Sequence, residues 1–132
     1  MELVQAMLDA WNHGGPGDLV RFMADEHEWV EVEGRPESPA GPSRRGRDAM
    51  QSSLSALFDA WESYRLEPEQ VAEVDGERVI AVVREVARGR TSGLEVASRW
   101  GYLITLREGQ ITRVEAYRDA DKALEAAGMS DG

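Results

Sequence analysis

The sequence predicts an α+β fold in which a cone-shaped, curved sheet of mixed or antiparallel strands wraps around one long helix. Residues 98–107 and 110–118 form two long strands joined by the tight turn Glu108-Gly109. Another long strand, residues 78–88, precedes them, and an amphipathic helix over residues 48–61 lies further upstream. Three long strands that follow one amphipathic helix can curl around it, and a sheet curled in this way encloses a pocket.

Length and composition indicate one domain that spans residues 1–132. With 132 residues, of which 42% are hydrophobic, the chain can build one substantial core but not two. The 25 acidic and 15 basic residues give a formal net charge of −10, which disfavours nucleic acid and anionic membrane surfaces as partners. No segment approaches the length that spans a membrane.

The residue types also limit the chemistry. There is no cysteine, so neither a disulfide nor a thiolate metal site or nucleophile is available. His13 and His27 have no third ligand at a plausible spacing and are expected at the surface, so no metal and no cofactor are predicted. The N-terminal residues contain no basic region followed by an apolar run, and we expect a cytoplasmic protein.

The first half of the chain predicts two short helices, a strand, a loop and the long helix. Apolar residues recur at helical spacing over residues 2–12, and Asp18 is placed to cap a second helix that ends near residue 23. Residues 27–33 alternate as a strand does, and residues 34–46 contain three prolines and form a loop. The long helix has one apolar face, which consists of Met50, Leu54, Leu57, Phe58 and Trp61.

In the second half, residues 66–73 form a short strand, and the turn Asp75-Gly76 leads into the strand of residues 78–88. Residues 94–97 add a bent or bulged start to the first strand of the hairpin. A short helix over residues 121–127 is stopped by Gly128.

Several segments resemble the SnoaL-like branch of the nuclear-transport-factor-2-like superfamily. They are residues 46–50, 83–85, 88–90, 92–93, 109–117 and 123–128, so the resemblance covers nearly the whole chain. It implies a pocket that binds a small hydrophobic molecule. Relatives include polyketide cyclases and ketosteroid isomerase, together with members that only bind ligands or partners, so the fold does not fix the chemistry.

The resemblance to the isomerase implies which side of each strand faces the pocket. On that side it places Trp29, Glu31, Ile80, Val82, Arg84, Val86, Trp100, Tyr102, Ile104, Val114, Ala116 and Arg118. The opposite side, with Val79, Ala81, Val83, Arg99, Leu103, Arg113 and Glu115, then faces solvent or a second subunit. Because both sides are partly apolar, we expect a homodimer through the outer sheet face.

The same resemblance implies a catalytic set of Glu31 as carboxylate base, Tyr102 as donor to an oxyanion and Arg84 as orienting cation. Alternatively, Glu31 is a solvated carboxylate or the partner of a buried Arg84, and Tyr102 only packs its ring in the core. If the strand phase is shifted by one residue, Arg84 is solvated. The predicted ligand-binding residues are Trp29, Trp100, Trp61, Tyr64, Val82, Val114, Ala116 and Arg118.

Three functions remain open from the sequence. The first is a cofactor-independent isomerase, cyclase or lyase that transfers a proton next to a carbonyl group. The second is a non-catalytic pocket that binds a small apolar ligand, and the third is a dimerisation module. Epoxide hydrolysis is disfavoured, because Ala116 stands where the related epoxide hydrolases have an aspartate.

Overall fold

The computed structural model describes residues 2–13, 19–31 and 43–128. The elements in chain order are α1 (Glu2–His13), β1 (Met23–Glu31), β2 (Ser43–Arg45), α2 (Arg47–Ala60), β3 (Trp61–Glu73), β4 (Arg78–Gly89), β5 (Glu95–Arg107), β6 (Gln110–Tyr117) and α3 (Ala120–Ala126).

The strands form one six-stranded mixed sheet in the order β2-β1-β6-β5-β4-β3. Strands β1 and β6 are parallel, and every other neighbouring pair is antiparallel. Helix α2 packs against both β1 and β3, which lie near opposite ends of the strand order. A sheet whose two ends contact the same helix must curve around it, so the predicted α+β architecture is confirmed.

Helix α1 is fixed to the free edge of β3 by one side chain. The predicted apolar stripe is buried through Val4, Met7, Leu8 and Trp11. Next to it, the Asn12 amide donates to the carbonyl oxygen of Leu66 at 2.9 Å, and its oxygen accepts from the Leu66 N–H at 2.8 Å. Asn12 therefore takes the place of a neighbouring strand for this part of the sheet edge.

Several predicted boundaries are wrong. The strand expected from residue 27 starts at Met23, where the second helix was expected to end, and residues 43–45 of the expected loop form β2. Trp61 continues the apolar spacing of α2 but already belongs to β3, where it pairs with Gly89. Strand pairing therefore overrides the helical periodicity at this point. The predicted cap at Asp18, the last two residues of the predicted strand, 32–33, and residues 34–42 of the predicted loop lie outside the described residues.

Strand β1 contains a wide bulge that buries His27. Met23 pairs with Ile111 and Glu28 pairs with Arg113, so β1 advances five residues where β6 advances only two. The Nδ1 atom of His27 lies 2.9 Å from the Ala24 carbonyl oxygen. The Arg47 guanidinium donates two hydrogen bonds to the Met23 carbonyl oxygen. His27 is 0% exposed, so the expectation of a surface histidine is wrong, whereas His13 is exposed as expected.

The two faces of β4 belong to two separate clusters, and its predicted phase is wrong by one residue. Cross-strand partners share a sheet face, and Val79, Ala81 and Val83 pair with Ile104, Tyr102 and Trp100 in the main core. Ile80 and Val82 lie on the other face with Leu103, in a second cluster with α3. For β5 and β6 the predicted faces are confirmed, since Trp100, Tyr102, Ile104, Val114 and Ala116 all belong to the main core.

Helix α3 covers part of the outer sheet face that was expected to meet a second subunit. Its Ala120, Ala123 and Leu124, with the following Ala127, pack on Ile80, Val82 and Leu103. The approach is close at Gly101, where an added Cβ would lie 2.4 Å from the Ala123 Cβ. The apolar outer surface of β4 is therefore covered within the monomer.

Candidate active site

A buried carboxylate, Glu85, lies at the centre of the candidate site. It is 5% exposed and is hydrogen-bonded to the hydroxyl groups of both Tyr64 and Tyr102. The Tyr102 hydroxyl donates to Glu85 Oε2 at 2.9 Å. A buried carboxylate is stable only with hydrogen-bond partners, and here two phenols from the strands on either side of β4 contribute. We refer to Glu85, Tyr64 and Tyr102 as the Glu–Tyr centre.

The register of three strands builds this centre. On β4, Glu85 pairs with Ser98 of β5 and Leu66 of β3, while Tyr64 pairs with the next residue on the same face, Ala87. Ser98 is exposed although Glu85 beside it is buried. The Glu–Tyr centre therefore lies directly beneath the solvent-exposed end of the sheet.

Aromatic rings surround the phenols. The Trp29 ring meets Tyr102 edge-on with centroids 5.7 Å apart, and Trp100 stacks on Tyr102 at 6.4 Å with an interplanar angle of 11°. Trp11 contacts Tyr64 at 5.8 Å. The Trp100 indole donates to the hydroxyl of Ser98 at 2.9 Å. These rings give the carboxylate an apolar, flat-walled environment.

Helix α1, which packs against the sheet, positions the Tyr64 side chain. Asn12 fixes the end of the helix to Leu66, which brings the neighbouring Trp11 against the Tyr64 ring. Leu66 itself is buried two residues after Tyr64. One side-chain clamp thus orients the phenol that donates to Glu85.

Three predicted site residues lie elsewhere. Arg84 is on the outer face of β4, exposed, with its Nη1 3.1 Å from Glu67 Oε1. Val82 is buried against α3 in the second cluster. Arg118 follows the last residue of β6 and is exposed. The predicted inward orientation of Arg84 and Val82 is therefore wrong, because of the one-residue phase shift, whereas the ligand-binding role of Arg118 stays a prediction.

The other predicted residues lie in or beside the main core. Its buried members are Trp29, Tyr64, Trp100, Tyr102, Val114 and Ala116, and Trp61 packs against it half-buried. The backbone of Glu31 pairs with Ala116, which in turn pairs with Tyr102, so these positions share one row across the sheet. The Glu31 side chain lies outside the described residues.

Sequence reasoning missed Glu85, although a signal was present. In the pattern from Val79 to Ala87, every second residue is small or apolar except Glu85, and the intervening set contains Arg84. Each phase has one charged residue, so the phase with the carboxylate inside was an equally good interpretation. Cross-strand register, which the sequence does not show, decides between them.

The described residues contain no group of three or more His, Asp or Glu side chains arranged to hold a metal ion. None of their helices is long and apolar enough to cross a membrane. The arrangement that remains is a carboxylate acceptor between two phenol donors. Such a group can take up a proton from a bound molecule and stabilise negative charge that forms on it.

Comparison with known proteins places the chain among SnoaL-like domains, whose family profile matches residues 4–114. No curated protein sequence gives a significant match. A putative polyketide cyclase from Xanthomonas campestris pv. campestris is 26% identical and has a TM-score of 0.72, with 96% of this chain and 94% of that chain covered.

Two further structures share the fold at lower identity. TerC, co-crystallised with polyporic acid, is 21% identical with a TM-score of 0.77 and 96% of each chain covered. A protein with a ketosteroid isomerase-like fold from Catenulispora acidiphila, in complex with trimethylamine, is 18% identical with a TM-score of 0.76. The match to it covers 97% of this chain and 93% of that one.

Proposed function

We propose that this chain, which belongs to the SnoaL-like domain family, binds a small hydrophobic carbonyl compound and transfers a proton at the carbon next to the carbonyl group. The observation that carries the proposal is the buried Glu85 carboxylate held between two phenol hydroxyls. The similarity to a putative polyketide cyclase supports the same class of chemistry, without identifying the substrate.

In this proposal Glu85 is the base, and the phenol hydroxyls stabilise the negative charge, first on Glu85 and then on the substrate oxygen. Before reaction, both hydroxyls donate to the carboxylate. When Glu85 takes the proton from carbon, it becomes a weaker acceptor, and the substrate oxygen becomes an enolate. The hydroxyl of Tyr102 or Tyr64 then donates to that oxygen, in a site largely closed to water. Returning the proton at another atom completes an isomerisation. In a cyclisation, the enolate carbon instead attacks a second carbonyl group of the same molecule, and the alkoxide that forms takes the proton back from Glu85.

Glu31 is a second candidate base, because its strand position shares a row with Ala116 and Tyr102. Arg84 has no place in this proposal, since it pairs with Glu67 on the outer face. The alternative function is binding without turnover. It is favoured by the fact that both phenols are already engaged by Glu85 and would have to release it for catalysis.

Tyr102→Phe is expected to weaken binding of 2-naphthol about tenfold, measured by titration calorimetry. This flat bicyclic phenol resembles the enol of a bicyclic ketone, and the variant removes one hydrogen-bond donor to its oxygen. The matched control is Tyr117→Phe, because Tyr117 packs half-buried against the second cluster on the outer side. Because either phenol can donate, Tyr64→Phe is measured as well. If Tyr102→Phe and Tyr64→Phe both bind as tightly as the control, or if the wild-type protein does not bind, the proposal is contradicted.

A homodimer and a cytoplasmic location stay predictions. The apolar residues from which the dimer is predicted are not available for it, because Val79, Ala81 and Val83 lie in the main core and Leu103 lies under α3. The remaining outer surface of β3 to β5 has side-by-side charges of both signs, in the pairs Arg84–Glu67 and Arg99–Glu69. A two-fold contact requires a self-complementary surface of this kind. Sedimentation velocity tests it, and a single monomeric species at micromolar concentration would remove it.

A further inference from the structure

The first half of β5 has an open edge. Strand β6 pairs with β5 only from Gly101 onward, and in the described part of the chain no strand lies beside residues 95–98 on that side. After Tyr117 the chain leaves the sheet and enters α3. Residues 95–99 are all exposed, and the apolar side chains of Leu94 and Val96 are 69% and 51% exposed. This part of β5 is therefore paired with β4 on one side and accessible on the other.

The register between β4 and β5 determines which backbone groups point to the open edge. The Gly89 N–H donates to the Leu94 carbonyl oxygen at 3.0 Å, and no register shift follows along the two strands. In an antiparallel pair, the N–H and C=O groups of one residue point to the same side, and successive residues alternate. Val96 therefore bonds to β4, whereas Glu95 and Ala97 direct their N–H and C=O groups to the open edge.

The edge of β3, at the end of the strand order, is protected against further pairing, whereas the edge of β5 is not. On β3, Pro68 lacks an N–H group, a bulge lies between Pro68 and Gln70, and the Asn12 side chain occupies the edge at Leu66. Residues 94–100 contain no proline, and their register with β4 shows no bulge. A strand edge without such protection is a surface on which another strand can pair.

The charges along this edge are complementary to those of a second copy. When two copies pair antiparallel about a two-fold axis through Ala97, the Ala97 residues exchange two hydrogen bonds. Glu95 of each copy then lies opposite Arg99 of the other. Both side chains lie on the outer face, since they pair with Arg88 and Arg84 of β4. Opposite charges in directly opposite positions stabilise a strand pair, whereas a pairing centred on Glu95 or on Arg99 would place like charges opposite each other.

The same pairing covers the exposed apolar side chains. By alternation along the strand, Leu94 and Val96 lie on the face that includes Trp100, opposite to the face of Glu95. In the register centred on Ala97, Leu94 of one copy comes opposite Trp100 of the other. Val96 comes opposite Ser98. Part of the exposed surface of Leu94 and Val96 is then removed from water, which favours association.

We propose that the first half of β5 is a self-association edge, at which a second copy of this chain pairs antiparallel with residues 95–99. The two six-stranded sheets then form one continuous sheet. Arg99 already donates from Nε to Glu69 at 2.8 Å, but a guanidinium has five N–H donors and can contact a second carboxylate. This contact differs from one through the outer sheet face, and it does not depend on the proposed function of the Glu–Tyr centre.

The first test is the dissociation constant of the dimer, measured by sedimentation equilibrium. We expect the wild-type protein to dimerise at micromolar concentration and Ala97→Pro to weaken the dimer about tenfold or more, because each copy loses the N–H at the centre of the pairing. The monomer is expected to keep its fold, since this N–H does not bond to β4 and proline is tolerated at such edge positions. The melting curve checks the fold. The matched control is Ala97→Ser, which retains the N–H and should dimerise like the wild-type protein.

The second test exchanges the charges. Glu95→Arg places like charges opposite each other and is expected to weaken the dimer, whereas the double variant Glu95→Arg/Arg99→Glu should recover most of the affinity. A monomeric wild-type protein overturns the proposal. So does a dimer that Ala97→Pro and Glu95→Arg leave unchanged, since the two copies then meet elsewhere. If Ala97→Pro fails to fold, the charge variants decide, and a double variant that dimerises no better than Glu95→Arg overturns the pairing.

Discussion

Replacing Gly101 by valine is expected to lower the free energy of unfolding by about 3 kcal/mol, at the upper end of the typical cost of overpacking. Gly101 lies on β5 between Trp100 and Tyr102, with its outward side against α3. A Cβ at this position would lie 2.4 Å from the Ala123 Cβ and 3.2 Å from the Ala120 Cα. Neither contact can be relieved by a flexible side chain, so the helix or the strand must move.

Urea denaturation measures this effect, and Gly76→Val is the matched control. A Cβ on Gly76 meets no atom within 4 Å, so valine there adds the same groups without a clash. If Gly101→Val is as stable as the control, then α3 does not pack on β5 as described. Displacement of α3 would also expose Ile80 and Val82, and the variant is therefore expected to bind a hydrophobic dye.

Replacing Glu85 by leucine is expected to lower the free energy of unfolding by about 2 to 5 kcal/mol. The change removes the acceptor of two buried phenol hydroxyls, and a hydrogen bond to a charged group contributes about 1.5–3 kcal/mol. The cost comes from the phenol hydroxyls that lose this acceptor rather than from the removal of the carboxylate itself. Thermal or urea unfolding of the purified variant provides the measurement.

The triple variant Tyr64→Phe/Glu85→Leu/Tyr102→Phe separates these contributions. It removes the donors together with the acceptor, and replacing both partners of a buried hydrogen bond by apolar groups can be nearly neutral. We therefore expect it to recover most of the stability lost in Glu85→Leu. If the triple variant is less stable than Glu85→Leu, the phenols and the carboxylate do not form one buried hydrogen-bonded unit.

Much of the fold follows from sequence periodicity, and the failures have a common physical cause. On β6, apolar and polar residues alternate from Arg113 to Ala116, and the predicted face of Val114 is confirmed. On β5, the residues from Trp100 to Ile104 are all buried, so the confirmed face of Tyr102 was predicted from the resemblance and not from alternation. On β4, all residues from Val79 to Val83 are buried, because one face meets the core and the other meets α3. A strand covered on both sides has no alternation from which its phase can be determined.

The phase of β4 decides whether Arg84 or Glu85 belongs to the candidate site. The predicted phase placed Arg84 inside and Glu85 outside, whereas pairing with β5 reverses the two. Tyr102 and Tyr64 were identified from the resemblance and from aromatic character, but their shared partner was not. The spacing of Trp61 continues the apolar face of α2 and therefore predicts a helical residue. Only its pairing with Gly89 identifies it as the first residue of β3.

If Glu85 is the base of a proton-transfer site, it controls the rate at which a bound ketone exchanges its carbon-bound protons. The rate at which 2-tetralone exchanges its α-protons in D₂O is measured by NMR with wild-type protein, Glu85→Gln and Glu31→Gln. We expect the wild-type protein to exceed the buffer rate and Glu85→Gln to lose about 100-fold of that acceleration, because the amide cannot accept the proton. Glu31→Gln is expected to retain most of it. Loss of exchange in Glu31→Gln with full activity in Glu85→Gln, or no acceleration by the wild-type protein, would show that Glu85 is not the base.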